Sequence, residues 1–544
     1  MGTIATLPNE ETRSRTLTSW LFFLLVAIGF FLRLRLAWLT FLNPDEALHY
    51  FLSHQPSLKV AYEASLTTAH PPLMILSLHY WSFLGNSEFF LRIPFVIAGT
   101  LFCWVMFLWV RKVASTKAAW FAVVMFLFAP SLISLSAEIR QYSFLLLFCG
   151  CSVYALERAF ENDGQNSIRW IALSVAALYL ALLTHYSALI FALAIAIYAL
   201  WRILRRKISP RIMAAWVAGQ AGVLGICVFL YESQIAKLRH SGVTSEIAAT
   251  WLRSSIFQYG QDHFAGFAWT KTLRLFRYFF SQGTIGVIGF GLFVFAIVML
   301  LRSENRADSK PFNRELAILL TVPFLTTLAL AIAGVYPYGG TRHDVILAVF
   351  AIPGIAIGLD RLPTLFPEAT ARLVKALLLG AAMLICNLSP SPSGPYIRAG
   401  NQRRDLMRKA ISNLRSLPPD SVLFTDAQGS AVLNYYLCDE AMALPFTPEQ
   451  PLLKFRCGDH YLLASMATPA GFDRAAFPVL LSAAWREVPK DANLYLFQSG
   501  WIDDKEEDWL IELRGLGGDP LNFGPNILLC PISRTPTLVP PAIQ

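Results

Sequence analysis

Asp45 and Glu46 stand side by side in Phe41-Leu-Asn-Pro-Asp-Glu-Ala-Leu-His-Tyr50, directly after an N-terminal apolar run. A carboxylate at the edge of hydrocarbon is costly unless it is paired, wetted or used, so an acidic pair there points to a functional site. Solvated loop residues without a task are the plain alternative, and the remainder of the chain has to decide between them.

Four further polar clusters interrupt apolar runs. Ala69-His-Pro-Pro-Leu73 sets His70 ahead of two prolines, which break a helix and fix a rigid turn. Ala137-Glu-Ile-Arg-Gln-Tyr142 carries Arg140, whose forked guanidinium suits a phosphate. Leu183-Thr-His-Tyr186 puts His185 at the end of another run. Tyr336-Pro-Tyr-Gly-Gly-Thr-Arg-His-Asp344 is a tight loop whose Gly339 and Gly340 permit close backbone approach beside Arg342 and His343. Singly, each reads as a turn residue, a scaffold histidine or an arginine snorkelling to the interface. Jointly, carboxylates, histidines and Arg35, Arg140 and Arg342 on one face fit a site that binds a lipid-linked phosphate and takes a proton from a hydroxyl.

The elements that must position these residues are membrane spans. The chain has 544 residues, is 55% hydrophobic and only 15% charged, and repeated long apolar runs of this kind need lipid around them. About eleven runs are long enough to cross: 18–41, 89–110, 118–137, 139–156, 169–184, 186–201, 212–231, 279–301, 315–335, 344–359 and 372–388. With a cytoplasmic N-terminus, alternate junctions collect Arg111, Lys112, Arg158, Arg202, Arg205, Arg302 and Arg361 on one side, as the positive-inside rule requires. Loops 42–88, 232–278 and 336–343 then fall on the opposite side with the polar clusters, and amphipathic interfacial helices are expected within 46–88. The net charge of +9 sits in these short junctions, so it reads as topology and not as a nucleic-acid surface.

Composition changes at Ser389-Pro-Ser-Pro-Ser-Gly-Pro395. The expected organisation is therefore an all-α membrane domain over 1–388, a linker at 389–400 and a soluble α/β domain over 401–544 outside the cytoplasm. Five cysteines fall inside apolar runs, whereas Cys438 and Cys457 in the tail are free to pair in an oxidising compartment.

Asp45-Glu46 after the first span, His70-Pro-Pro-Leu73, Leu91-Arg-Ile-Pro94, Glu138-x-Arg140-x-Tyr142 and Thr184-His-Tyr186 occur in an order that resembles the GT-C glycosyltransferases of the protein O-mannosyltransferase and aminoarabinose-transferase type, glycosyltransferase family 39 and its bacterial relatives. The resemblance spans roughly residues 17–200 and is weaker beyond. It implies an inner-membrane glycosyltransferase moving a sugar from a polyprenyl-phosphate carrier to a hydroxyl on a lipid, glycan or protein. By the same resemblance Asp45 is the general base, Glu46 orients the acceptor or a metal, and Arg140 lies near the carrier phosphate. His70 departs from the lysine of the aminoarabinose pattern.

The binding set expected on this face is Arg35, Tyr50, His70, Arg140, Tyr142, His185, Arg342 and His343. A divalent metal is an open expectation, with Glu46, Glu63, His70 and His185 as its candidate ligands, and no nucleotide cofactor is expected. The competing class is a transporter or lipid flippase, which would place ionisable residues near the bilayer midplane and repeat its halves. Here the charges gather at one face and no repeat is visible.

Overall fold

The computed structural model describes residues 10–161, 165–205, 208–237, 252–303, 313–363, 367–391, 394–438, 452–465, 477–489, 492–500, 518–525 and 527–533. The expected loop segment 238–251 and parts of the tail lie outside these residues. Among the described residues nine helices are long and apolar enough to cross a membrane. They are Ser19–Leu39, Glu88–Val113, Tyr142–Glu161, Ala188–Arg205, Pro210–Ile235, Gly283–Arg302, Asn313–Ile332, Arg342–Arg361 and Glu368–Leu388. The chain is thus a multi-pass membrane protein. The other two expected runs are helical but different in kind: Asn166–Leu182 is shorter, and 116–136 is a pair, Thr116–Phe128 and Pro130–Ser136, bent by 54°.

The bend has an identifiable cause. Pro130 has no amide hydrogen and ends the helix before it, which leaves the carbonyls of Phe126 and Leu127 without helical partners in a region that lacks water. Arg33, fully buried on the first helix, donates to both, at 3.0 and 2.8 Å. The short second helix then leads directly into the segment Ala137–Gln141.

Between the first two spans lie three short helices, Pro44–Ser53, Leu58–Ser65 and Leu73–Ser82. Pro44–Ser53 is not the interfacial helix expected of this segment: eight of its ten residues are buried, because the bundle packs on one side of it and the soluble domain on the other. A second departure is helix Phe264–Phe280, which takes up the last part of the expected loop 232–278 and runs two residues past it.

The tail is an α/β unit. Its six-stranded sheet has the order β2-β3-β1-β4-β6-β5, formed by β1 (Val422–Asp426), β2 (Leu452–Cys457), β3 (His460–Ser465), β4 (Leu494–Ser499), β5 (Leu521–Gly524) and β6 (Ile527–Ile532). β1 runs parallel to β3 and β4, while both edges are antiparallel. Helices Arg404–Arg415 and Ala427–Leu437 bury Met407, Leu414, Val432 and Leu433 against one face, and Phe477–Glu487 covers the other. Cys438 and Cys457 form a disulfide between the end of Ala427–Leu437 and β2. Within the expected linker 389–400 begins helix Pro395–Asn401, and just past it Arg403 bridges Thr40 and Gln402 accepts from the Phe41 amide.

Candidate active site

Asn43-Pro-Asp-Glu46 is a helix start written out in sequence. Asn43 Oδ1 accepts from the Glu46 amide at 3.0 Å, Glu46 Oε2 accepts from the Asn43 amide at 3.1 Å, and Pro44 occupies the first helical position. This capping box turns the two adjacent carboxylates in different directions.

Glu46 turns inward and is solvent-inaccessible. Arg92 meets it with a two-pronged contact, Nε to Oε1 and Nη2 to Oε2, each 2.7 Å, and the Ile139 amide donates at 2.9 Å. Arg92 also donates to the carbonyls of Ala37, Thr40 and Phe41, joining the first span, the Asp45 loop and the second span. Arg398 stands 4.0 Å from Glu46 and pairs with Glu138 at 2.7 Å. Burial alone would push the Glu46 carboxyl up; the Arg92 charge and its hydrogen bonds hold it below its ordinary value.

Asp45 turns outward. Its Oδ2 lies 2.6 Å from Arg342 Nη1 and 3.3 Å from Arg140 Nη1, and its side chain keeps 23% exposure. Burial acts to raise its pKa, but the charges of Arg140 and Arg342 override that and hold it well below the carboxylate range. Arg140 also lies 5.7 Å from the ring centroid of Tyr142.

Arg342 is presented by a built turn. Asp344 Oδ2 accepts from the amides of Gly339, Gly340 and Thr341 and from the Thr341 hydroxyl, at 3.0 to 3.2 Å. Gly340 has φ +86°, and a Cβ there would run into the Arg274 carbonyl, so only glycine fits.

Four histidines form a chain of neighbouring rings within the field of Arg140. Ring centroids lie 6.0 Å apart for His49 and His70, 5.5 Å for His70 and His185, and 6.3 Å for His185 and His343. Gln141 Nε2 lies 3.2 Å from the His70 ring, and Gln234 donates to the carbonyls of Ser65, Thr68 and His70, pinning the Pro-Pro turn. Burial, then the Arg140 charge, bring His49 and His185 down to about 3, and the same causes take His70 well below its usual value. At neutral pH these three imidazoles are therefore uncharged, able to donate and accept hydrogen bonds without adding charge.

Asp45, His70, Arg140, Tyr142, His185, Arg342 and His343 thus converge, joined by His49 and Gln141, which were not in the expected set. Three expected members stand elsewhere. Arg35 is exposed and makes no ion pair among the described residues; the inward arginine of that helix is Arg33. Tyr50 faces the soluble domain, packed on His54 and edge-on to Tyr435 at 5.1 Å. Glu63 is an exposed residue 3.9 Å from Lys59.

The candidate metal set does not assemble. Glu63 is remote, both Glu46 oxygens are bonded to Arg92, and the His70 and His185 rings lie face to face at 27°, which keeps their in-plane lone pairs from meeting at one point. Among the described residues no three His, Cys, Asp or Glu side chains could hold a metal ion.

Residues 69–231 match the family model described as dolichyl-phosphate-mannose-protein mannosyltransferase. No curated protein sequence matches the chain. Among solved structures, ArnT from Cupriavidus metallidurans in the apo state is similar at a TM-score of 0.52 and 13% identity, over 95% of this chain and 98% of that one. The same protein bound to undecaprenyl phosphate gives 0.53 and 14%, over 95% and 99%. The Archaeoglobus fulgidus oligosaccharyltransferase gives 0.48 at 10% identity, over 87% and 68%. The fold, with the family match over 69–231, is that of the GT-C superfamily of membrane glycosyltransferases.

Proposed function

We propose that this protein transfers a sugar from a polyprenyl-phosphate carrier to an acceptor hydroxyl, with Asp45 as the base and Arg140 and Arg342 as the clamp for the carrier phosphate. The observation that carries the reading is the shared grip of two guanidiniums on one oxygen of a carboxylate that keeps only part of its surface exposed. The similar ArnT structure that holds undecaprenyl phosphate supports the choice of carrier.

In the resting site Asp45 is a weak base, because both arginines stabilise its charge. A phosphate entering the site competes for those same N–H groups. As the arginines turn to the phosphate, burial becomes the dominant influence on Asp45, and its affinity for a proton rises when the acceptor needs it. The acceptor oxygen then attacks the anomeric carbon, the bond from that carbon to the phosphate oxygen breaks, the carrier phosphate keeps the electron pair, and the hydroxyl proton goes to Asp45. Arg140 and Arg342 meet the charge that develops on the leaving phosphate. The neutral rings of His49, His70 and His185 suit the hydroxyls of the sugar or acceptor.

Glu46 acts through position: its bond to Arg92 fixes the helix start that aims Asp45. The basic residues Arg111, Lys112, Arg205 and Arg302 at the opposite ends of the spans support a cytoplasmic N-terminus, with site and soluble domain on the outer face of the inner membrane. The test is steady-state transfer from polyprenyl-phosphate hexose and pentose donors to lipid, glycan and peptide hydroxyls by purified protein. Release of carrier phosphate that depends on an acceptor and fails in Asp45→Asn supports the reading. Release that Asp45→Asn leaves unchanged overturns it.

A further inference from the structure

A second cationic cleft, of about 380 Å³, opens behind the catalytic loop, between helix Arg404–Arg415 of the soluble domain and the start of Glu88–Val113. Its charged lining is Arg404, Arg408, Arg415 and Glu88, and its back wall is Tyr435 and Tyr436. Three arginines against one carboxylate leave a formal charge of +2 in the cleft.

The pairing within the cleft is uneven. Glu88 is fully engaged, by Arg404 and by the Tyr436 hydroxyl. Among the described residues Arg415 donates only to the backbone carbonyl of Tyr436, at 3.1 Å, and Arg408 has no hydrogen bond or ion pair. Arg404, Arg408 and Arg415 recur at a spacing that places them on one face of their helix, where Arg404 is held by Glu88 and the forks of Arg408 and Arg415 have no carboxylate partner among the described residues.

The level of the cleft points to the source of that anion. The Arg404 guanidinium lies 4.9 Å from the ring centroid of Trp38, a residue 55% exposed at the very end of the first span. Phe83 and Leu84, 66% and 72% exposed, precede the cleft's Ser87 on the same stretch of chain. Exposed aromatic and aliphatic side chains at the end of a span mark the boundary between acyl chains and headgroups, where arginines gather anionic lipid. A phosphate held here would have its acyl chains beside Trp38 and Leu84.

We infer that this cleft binds the phosphate of an anionic membrane lipid through Arg408 and Arg415. The inference is independent of the transfer reaction, since neither residue belongs to the Asp45 cluster. It does bear on it: the Tyr436 hydroxyl in the back wall also accepts from the Leu42 amide at 2.9 Å, three residues before Asp45, so an occupied cleft braces the catalytic loop from behind.

The test is native mass spectrometry of the full chain released from zwitterionic detergent, titrated with short-chain phosphatidylglycerol, phosphatidylcholine or inorganic phosphate, for the wild type, Arg408→Ala and Arg408→Ala/Arg415→Ala. Both side chains are exposed, so the variants should fold, which a matching thermal transition verifies. The expected result is preferential binding of phosphatidylglycerol that weakens about fivefold in the single and about thirtyfold in the double variant, the fold-changes corresponding to ~1 kcal/mol per basic residue at an anionic surface. Equal binding of phosphatidylglycerol by wild type and double variant would overturn the inference. Inorganic phosphate binding as tightly as the lipid would overturn the assignment to a membrane lipid.

Discussion

Replacing Arg92 by Met should damage this protein more than most single substitutions, and in a way that reverses its response to pH. Arg92 gives Glu46 both of its 2.7 Å side-chain bonds and also holds three carbonyls of 37–41. Methionine fills much of the volume but leaves Glu46 solvent-inaccessible with only two amide donors and Arg398 at 4.0 Å. Breaking a buried pair by removing one partner typically costs about 3–5 kcal/mol, because the remaining charge is uncompensated. In the wild type Glu46 is held below its ordinary pKa, so its contribution is present above the normal carboxylate range, near pH 4.3, and is lost as pH falls through the lower folded value. In Arg92→Met burial takes over and raises the folded pKa. The variant is then weakest at neutral pH and recovers toward pH 4, the opposite slope. Denaturation followed in mixed micelles at several pH values, for Arg92→Met, Glu46→Gln and the double variant, reads both effects, and the double variant should regain most of the loss. An Arg92→Met protein as stable as wild type at pH 7, or one with an unchanged pH slope, would mean that the Glu46–Arg92 pair does not hold this region together.

Two further outcomes follow from the same geometry. Arg342→Ala removes the 2.6 Å contact to Asp45 and one arm of the phosphate clamp, so donor KM should rise about 10–100-fold, the worth of one charge-assisted bond. Because Asp45 then loses a stabilising cation, its pKa rises, and the acid limb of the kcat/KM profile should move to higher pH. Cys438→Ser opens the bond that ties helix Ala427–Leu437 to β2, which should weaken the soluble domain by about 2–4 kcal/mol, seen as faster proteolysis within that domain.

How much of this was legible in the sequence depends on the range of the interaction. Apolar runs report spans directly, and the eleven runs are all helical, because a backbone in hydrocarbon must satisfy its hydrogen bonds internally. The bend at 116–136 was hidden, since its Pro130 lies within a continuous apolar run. His70, Arg140, His185 and Arg342 stood out as polar residues at the ends of such runs. Arg35 cannot be told from Arg33 by hydropathy, which gives no helix phase: two positions apart, they face roughly opposite ways, and only packing shows that Arg33 is inward. The task of Glu46 rests on Arg92, 46 positions away, and an arginine one turn into an apolar helix was the available signal for it. Arg398 had no signal, lying just beyond a Pro/Ser stretch that reads as linker yet reaching Glu138 and Ser134.

Whether Asp45 takes the acceptor's proton is read by single-turnover transfer with saturating polyprenyl-phosphate sugar, because donor binding is then removed from the rate. Asp45→Asn keeps the shape of the side chain but no longer competes with the carrier phosphate for Arg140 and Arg342, so the expected result is donor binding at least as tight as in the wild type with a rate lower by ~10²–10⁴-fold, the usual loss for a positioned base. A transfer rate equal to that of the wild type, with donor bound, would contradict the assignment of Asp45 as the base.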